Sequence, residues 1–314
     1  MATDGLFQLY TTQFTTMLNL KLQQLGSKLR GKTMEGFHVG KMASPVNQLA
    51  AVQLRAPAGR FAPLNRTDND YTRRWVFPQD GELVQMVDSF DELKTIVSPN
   101  SQLVAGAAAA VGRGWDDCII ANALGTAQTG NDAASLSAEN WTSVYTNYEV
   151  DDSFDAGSTS VGLTVNKLIE AKRIFRHNHV DLEAEELTII IGSTQEADLL
   201  RQTEVVSREY NDKPVLVDGR VTRFLGFNIV VSERLATNGG GNPTANVRSC
   251  IAFVKSGLYL GIWKDMTTIA SQRNDLSGHP AQFYTQVSFG ATRLELGRLV
   301  EIQCADTVGA DITP

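Results

Sequence analysis

Cysteine is scarce in this chain. Cys118, Cys250 and Cys304 are the only three in 314 residues, and they stand far apart. They form no zinc-type cluster and read as reduced thiols of a cytoplasm-like compartment. In that setting the Asn-x-Thr triplets at Asn65 and Asn140 carry no glycosylation meaning. No run of about 18 apolar residues occurs, which excludes a helical membrane span. The N-terminus lacks a basic start followed by an apolar block, so no secretory signal is expected. Histidine numbers only four. His177 and His179 stand two apart, a spacing that a helix does not place on one face, and a metal site prefers i, i+4 with a third ligand. His38 and His279 are isolated. The glycines at 239–241 are followed by no Lys-Ser/Thr, so they form no phosphate loop, and no Gly-x-Ser-x-Gly elbow occurs. Asp116-Asp117 and Asp151-Asp152 are adjacent acid pairs. Neighbouring carboxylates on a helix diverge, so Asp116 and Asp117 read as surface or interface charges. No catalytic residue, cofactor or metal is expected, and the chain reads as a non-enzyme.

What is present is a large apolar fraction and a lopsided charge. The hydrophobic content of 42% allows a sizeable buried core. The net charge is −7. Residues 1–60 hold Lys21, Lys28, Arg30, Lys32, Lys41, Arg55 and Arg60 against Asp4 and Glu35, a balance of +5. The remainder, with 21 basic and 33 acidic residues, stands at −12. A basic arm on an acidic body is either a solvated terminus or a segment that lies against an acidic neighbour or nucleic acid.

Leu6, Leu9, Tyr10, Phe14, Met17, Leu18, Leu22, Leu25 and Leu29 recur at helical spacing, which predicts a helix over 6–30 ended by Gly31. Pro45, Pro57, Pro63 and Pro78 forbid a continuous helix over 44–80. That stretch reads as two extended arms joined by a polar turn near Asn65–Asp70, followed by a turn at Asp80-Gly81 and a strand at Leu83–Val87. Two strands alone are marginal in water, so a long excursion needs an outside support. Residues 99–130 read as one long helix, capped by Asn100 or Ser101 and stopped at Gly125. Val104, Ala108, Val111, Trp115 and Ile119 form its expected packing face, widened by Leu103, Ala107, Cys118 and Leu124. Gly106, Gly112 and Gly114 mark tight packing or a bend. A polar loop is expected over 125–162. An α/β pattern follows, with helices at Thr164–Phe175 and Thr194–Arg201. Strands are expected at Leu187–Ile191, Val215–Val217, Phe227–Val231 and Ile251–Val254, and a polar loop at 237–246. Gly257–Ile262 leads into Thr267–Gln272, and the chain closes with strands at Phe283–Phe289 and Ala291–Cys304.

This order resembles that of the major capsid proteins of tailed bacteriophages, the fold named after phage HK97. The resemblance runs from about residue 45 to 305. It rests on Arg73-Arg74-Trp75-Val76-Phe77, on Gly114-Trp115-Asp116-Asp117 and Ala121–Ala127 in the helix, on Leu187–Leu200, on Leu225–Val231, and on Arg293–Gln303. No one of these is a signature; their order is what carries the likeness. It implies an α+β chain with an N-arm (1–48), an extended E-loop (49–86), a P-domain with a long spine helix (87–148 and 275–308) and an α/β A-domain (149–274). It implies a non-enzymatic subunit that self-assembles into pentamers and hexamers of an icosahedral shell around double-stranded DNA. The shell would form in the bacterial host cytoplasm and become part of the virion. Portal and scaffolding proteins are implied partners, with a possible cement protein, weak sequence-independent DNA contact and no membrane. Some shells of this type are linked covalently through an E-loop lysine. This chain has no lysine between Lys41 and Lys94, so such a link is not expected.

Arg66, Arg73 and Arg74 are the candidate intersubunit charges, and Trp75 and Phe77 the candidate anchors, since a buried aromatic contributes about 1.5–3 kcal/mol. Each has a plain alternative, solubilising charge for the arginines and local core for the aromatics. Two other functions fit less well: an encapsulin-like compartment shell, and a doubly wound α/β enzyme with a ligand crevice at its strand ends.

Overall fold

Leu187–Ile191, the most strand-favouring run of the sequence, forms a strand buried at every position in a computed structural model of the chain. The structure describes residues 22–54, 56, 59–60, 66, 68–87, 100–154, 157, 160–202, 221–236 and 246–306. The chain is mixed α+β and divides into two compact units. The smaller comprises Met1–Ser27, Asp80–Arg113 and Lys264–Val287; the larger comprises Lys28–Gln79, Gly114–Trp263 and Ser288–Pro314.

The larger unit is organised on a six-stranded mixed sheet. Its strands are β7 (Glu149–Val150), β8 (Leu187–Ile191), β9 (Arg223–Phe224), β10 (Phe227–Val231), β11 (Val247–Val254) and β14 (Leu299–Ala305), in the order β7-β14-β11-β8-β10-β9. Strands β8 and β10 run parallel, with Ile189 opposite Ile229, while β11 runs antiparallel to both β8 and β14. Every residue of β8, β11 and β14 is buried. In β8 that burial matches a near-continuous apolar run, whereas β11 and β14 also bury Arg248, Ser249, Glu301 and Gln303. Helix α3 (Val165–His177) starts where the Thr164 side chain accepts from Lys167 N, and it buries Leu168, Ala171, Ile174 and Phe175 at helical spacing. Helix α4 (Ser193–Arg201) follows β8.

A second sheet of the larger unit has the order β2-β3-β5-β6, from β2 (Ala43–Leu49), β3 (Tyr71–Val76), β5 (Thr126–Thr129) and β6 (Ser137–Asn140). A third has the order β1-β12-β13-β4, from β1 (Met34–Phe37), β4 (Gln79–Val87), β12 (Leu258–Gln272) and β13 (Ala281–Arg293). In the smaller unit, Tyr284 Oη donates to Glu82 at 3.1 Å, and the Thr268 and Thr285 hydroxyls lie 3.0 Å apart.

The long helix α1 spans Asn100–Ala123. It ends before residue 130, because Thr126–Thr129 pairs with β6. Pro99 and the side chains of Asn100 and Ser101 lie outside the described residues. Val111, Trp115 and Ile119 are buried as their spacing predicts, and so are Ala107 and Cys118, but Val104 and Ala108 are exposed, and Ala109 is buried outside the expected face. The buried ridge runs at i, i+4 through Ala107, Val111, Trp115, Ile119 and Ala123.

Several other expectations are corrected. Residues 22–30 are not helical: Gly26 takes φ +80°, a left-handed value that interrupts a helix. The rest of that expected helix lies outside the described residues, as do Val215–Val217 and 237–245. Asp80-Gly81 is no turn but part of β4. The expected loop over 125–162 is not continuous: its first part forms β5, β6, the one-turn helix α2 (Trp141–Val144) and β7. Ala291–Cys304 is not one strand, since a 3₁₀ turn at Leu296–Arg298 separates β13 from β14.

Gly112 and Gly114 differ sharply. A Cβ on Gly112 would stand 2.6 Å from Gly26 C and 2.8 Å from Ser27 N, which is backbone and cannot swing aside. A Cβ on Gly114 would meet only Phe289 Cζ at 3.5 Å, an ordinary contact. Gly114→Ala is therefore expected to raise thermal stability by up to about 1 kcal/mol through helix propensity. Gly112→Ala is expected to lower it by about 1–3 kcal/mol through overpacking. Calorimetric unfolding of the two variants checks the opposite signs.

Candidate intersubunit site

The Arg-rich segment forms the second arm of a hairpin. Strand β3 pairs antiparallel with β2, with Val46 opposite Arg74, Asn47 opposite Arg73 and Leu49 opposite Tyr71, and Ala50 N continues the ladder to Asp70 O at 2.9 Å. The paired first arm is thus Ala43–Leu49, earlier than the sequence suggests, and residues 51–54 beyond it form no strand. Leu49, Val52, Leu54 and Tyr71 are all exposed, Leu54 fully. Their apolar surface has no cover within the described residues.

The five candidate residues separate into two groups. Arg74 is buried: its Nε donates to Leu294 O at 2.8 Å and its Nη1 to a Glu139 carboxylate oxygen. Trp75 is half-buried, with Nε1 donating to Gly130 O at 3.0 Å. Both side chains anchor the hairpin to β5 and β6 of the same chain. Arg73 and Phe77 are exposed, and so is Arg66, whose Nε lies 2.7 Å from Asp68 Oδ1. Arg66, Arg73 and Phe77 are the three that remain available for a neighbour.

Beneath the hairpin lies a buried polar relay that the sequence does not announce. Arg293, at the end of β13, is fully buried. Its Nη1 donates to Gly125 O at 2.5 Å and Ala123 O at 3.3 Å, and its Nη2 donates to Glu139 O at 2.5 Å. It therefore caps the C-terminus of α1, where carbonyls lack helical partners and the dipole favours a cation. Burial lowers its pKa to about 10, so it stays charged at neutral pH. Its guanidinium stands 5.4 Å from the Trp141 ring, and Trp141 Nε1 donates to Glu301 at 2.5 Å. Glu139 thus serves both arginines, Arg74 through its carboxylate and Arg293 through its carbonyl. Burial raises the Glu301 carboxyl pKa. Glu149, its partner in the parallel β7–β14 register, is pushed up to about 7, first by burial and then by the Glu301 charge.

The basic N-terminal segment is latched to α1 at its inner end. Asp116, expected at a surface, is fully buried and accepts Lys28 N at 3.0 Å and Leu29 N at 3.2 Å. Asp117 points elsewhere and pairs with Arg234. Arg30 lies over Trp115 at 4.2 Å. A lone buried Asp facing two backbone N–H groups leaves no pattern in the sequence.

Among the described residues, no group of three or more His, Cys, Asp or Glu is placed to hold a metal, and no helix is long and apolar enough to cross a membrane. All three cysteines are free and buried.

A search of curated proteins found no match. Among solved structures, the chain resembles the capsid of cyanophage Pam1 (TM-score 0.73, 12% identity, covering 99% of this chain and 100% of that one). It also resembles the capsid of cyanophage P-SCSP1u (TM-score 0.70, 15% identity, covering 98% and 96%). A third likeness is to a structure from Mycobacterium phage Che8 (TM-score 0.62, 14% identity, covering 96% and 98%). At these identities the likeness is one of fold. A family model described as phage capsid protein matches residues 7–306, nearly the whole length, and the chain belongs to the phage capsid protein family.

Proposed function

We propose that this subunit builds the closed icosahedral head of a tailed phage around double-stranded DNA, as a structural and non-enzymatic component. In this reading residues 1–48 are the N-arm, 49–86 the E-loop, 87–148 and 275–308 the P-domain with α1 as its spine, and 149–274 the A-domain. Copies join through heterologous contacts into rings of five and six, as a curved closed lattice requires. The observation that carries the reading is the β2–β3 hairpin. Its root is fixed by Arg74 and Trp75, while Leu49, Val52, Leu54 and Tyr71 stand uncovered. Exposed apolar side chains on a fixed excursion gain most when a neighbouring copy covers them. Arg66, Arg73 and Phe77 are the contacts proposed at that neighbour. Portal, scaffold and cement proteins belong to the same proposal as partners, and acidic bulk charge keeps DNA contact weak and sequence-independent.

Electron microscopy of the purified protein is the test. Closed shells, rings or tubes are the expected result, and shells from infected cells are expected to hold DNA. A uniform small oligomer with a bound metabolite would refute the shell, and protein cargo in place of DNA would move it to an encapsulated compartment.

A further inference from the structure

We propose that the turn at Phe37–Lys41 of one copy seats in the groove beneath the β2–β3 hairpin of a second copy. The proposal rests on the shell reading above and specifies one contact within it.

The groove has a volume of about 710 Å³ and lies between the hairpin and the turn that follows β13. Met34, Val46, Leu49 and Leu294 give it apolar walls, and Asp70 and Glu295 stand among its lining residues. Arg298, also in the lining, is held by Glu295 at 2.7 Å and Glu185 at 3.0 Å. Its charge is met locally, and the carboxylates outnumber it. An occupant suited to this groove is apolar with a cation beside it.

The chain carries such a segment on its own surface. Phe37 is 75% exposed and Val39 97% exposed, and Lys41 follows in the open. Single exposed apolar residues are common and need no explanation. These two are different because their base is rigid. His38 N donates to Ile262 O at 2.9 Å, the His38 Nε2 and Tyr259 Oη atoms are 2.6 Å apart, and the His38 ring lies 5.4 Å from that of Trp263. Gly36 makes this possible, since a Cβ there would overlap the Tyr259 hydroxyl. A turn already held in shape loses little freedom on binding. A patch and a complementary groove at different places on one surface join copies head to tail.

Two experiments test the contact, each on full-length protein whose fold is first checked by circular dichroism. In the first, Lys41→Asp and Asp70→Lys are each expected to cut particle yield roughly tenfold by setting like charges together, and the double variant to restore it. In the second, a Val39→Cys, Leu49→Cys double variant is oxidised after assembly. The native thiols are buried, so a ladder of linked subunits on a denaturing gel reports the new pair. Wild-type yield from both single charge variants, failed rescue by the folded double variant, or particles without a ladder each overturns the contact and leaves the shell reading intact. Should a charge variant misfold, the cysteine variant decides alone. Absence of particles from the unaltered protein removes the shell reading and this contact with it.

Discussion

Arg293→Ala is expected to yield insoluble protein, and Arg293→Lys to yield soluble protein with a lowered unfolding temperature. The guanidinium holds three carbonyl oxygens, two at the end of α1 and one on β6. Alanine leaves all three without that donor, one of them buried and two part-buried, at about 1–3 kcal/mol for each that water does not reach. It also removes the cation from the helix C-terminus, worth up to about 2 kcal/mol when partly buried. Even with relaxation, a loss of about 3–5 kcal/mol is expected, the range for breaking a buried charge network. That is a large share of the roughly 5–15 kcal/mol by which a domain is stable. Lysine keeps the charge but replaces a planar fork with one point donor. It cannot reach α1 and β6 with the same geometry, so its effect falls between. Soluble yield and thermal unfolding of the two variants check the order. Equal stability of Arg293→Ala and wild type would show that the cap contributes nothing.

Lys167→Met is expected to be nearly as damaging. Lys167 is fully buried on α3, and its Nζ donates to Asp152 O at 2.9 Å, Val161 O at 3.0 Å and Gln303 O at 2.8 Å. Those bonds use all three ammonium donors, and they tie α3 to β14 and to the chain between β7 and α3. Methionine matches the stem in length and loses every bond. The expected loss is again about 3–5 kcal/mol. Lys167→Arg is expected to fail as well, because a planar guanidinium does not present three donors around one point. Chemical denaturation followed by tryptophan fluorescence measures both. A shift under about 1 kcal/mol in Lys167→Met would mean that water replaces the ammonium without cost.

The elements that the sequence made legible are those whose burial is continuous or one-sided. Strand β8 and helix α3 stand where their apolar spacing places them, and the extended character of the Arg-rich arm was visible from its prolines. The misreadings have local causes. Asp80-Gly81 has the chemistry of a turn, yet Gly81 lies in a strand, and a Cβ there would come within 3.3 Å of Val287. Strands β5 and β6 are short and polar, so nothing in Thr126–Thr129 or Ser137–Asn140 stands out from a loop. The break between β13 and β14 falls at Leu296-Gly297-Arg298, inside a stretch whose apolar pattern carries straight on. The packing face of α1 was right at Val111, Trp115 and Ile119 and failed at Val104 and Ala108, because the buried ridge steps at i, i+4 from Ala107 through Val111 and leaves Val104 and Ala108 to one side. Arg74 and Asp116 were read as outward charges because charge alone predicts exposure. Arg74 finds acceptors 220 and 65 residues away, and Asp116 accepts from donors 88 and 87 residues away.

One carbonyl, that of Leu294, accepts both Gln48 Nε2 and Arg74 Nε across 246 and 220 residues of sequence. During translation the hairpin is made early and that oxygen late, at a pace of about 5–20 residues per second. A chain made only as far as β6 therefore has a hairpin whose Glu139 and Gly130 partners exist while Leu294 does not, and a long helix without its final cation. Only a chain synthesised past Leu294 holds both, so the root of the hairpin and the end of the helix gain their last fastenings together and late.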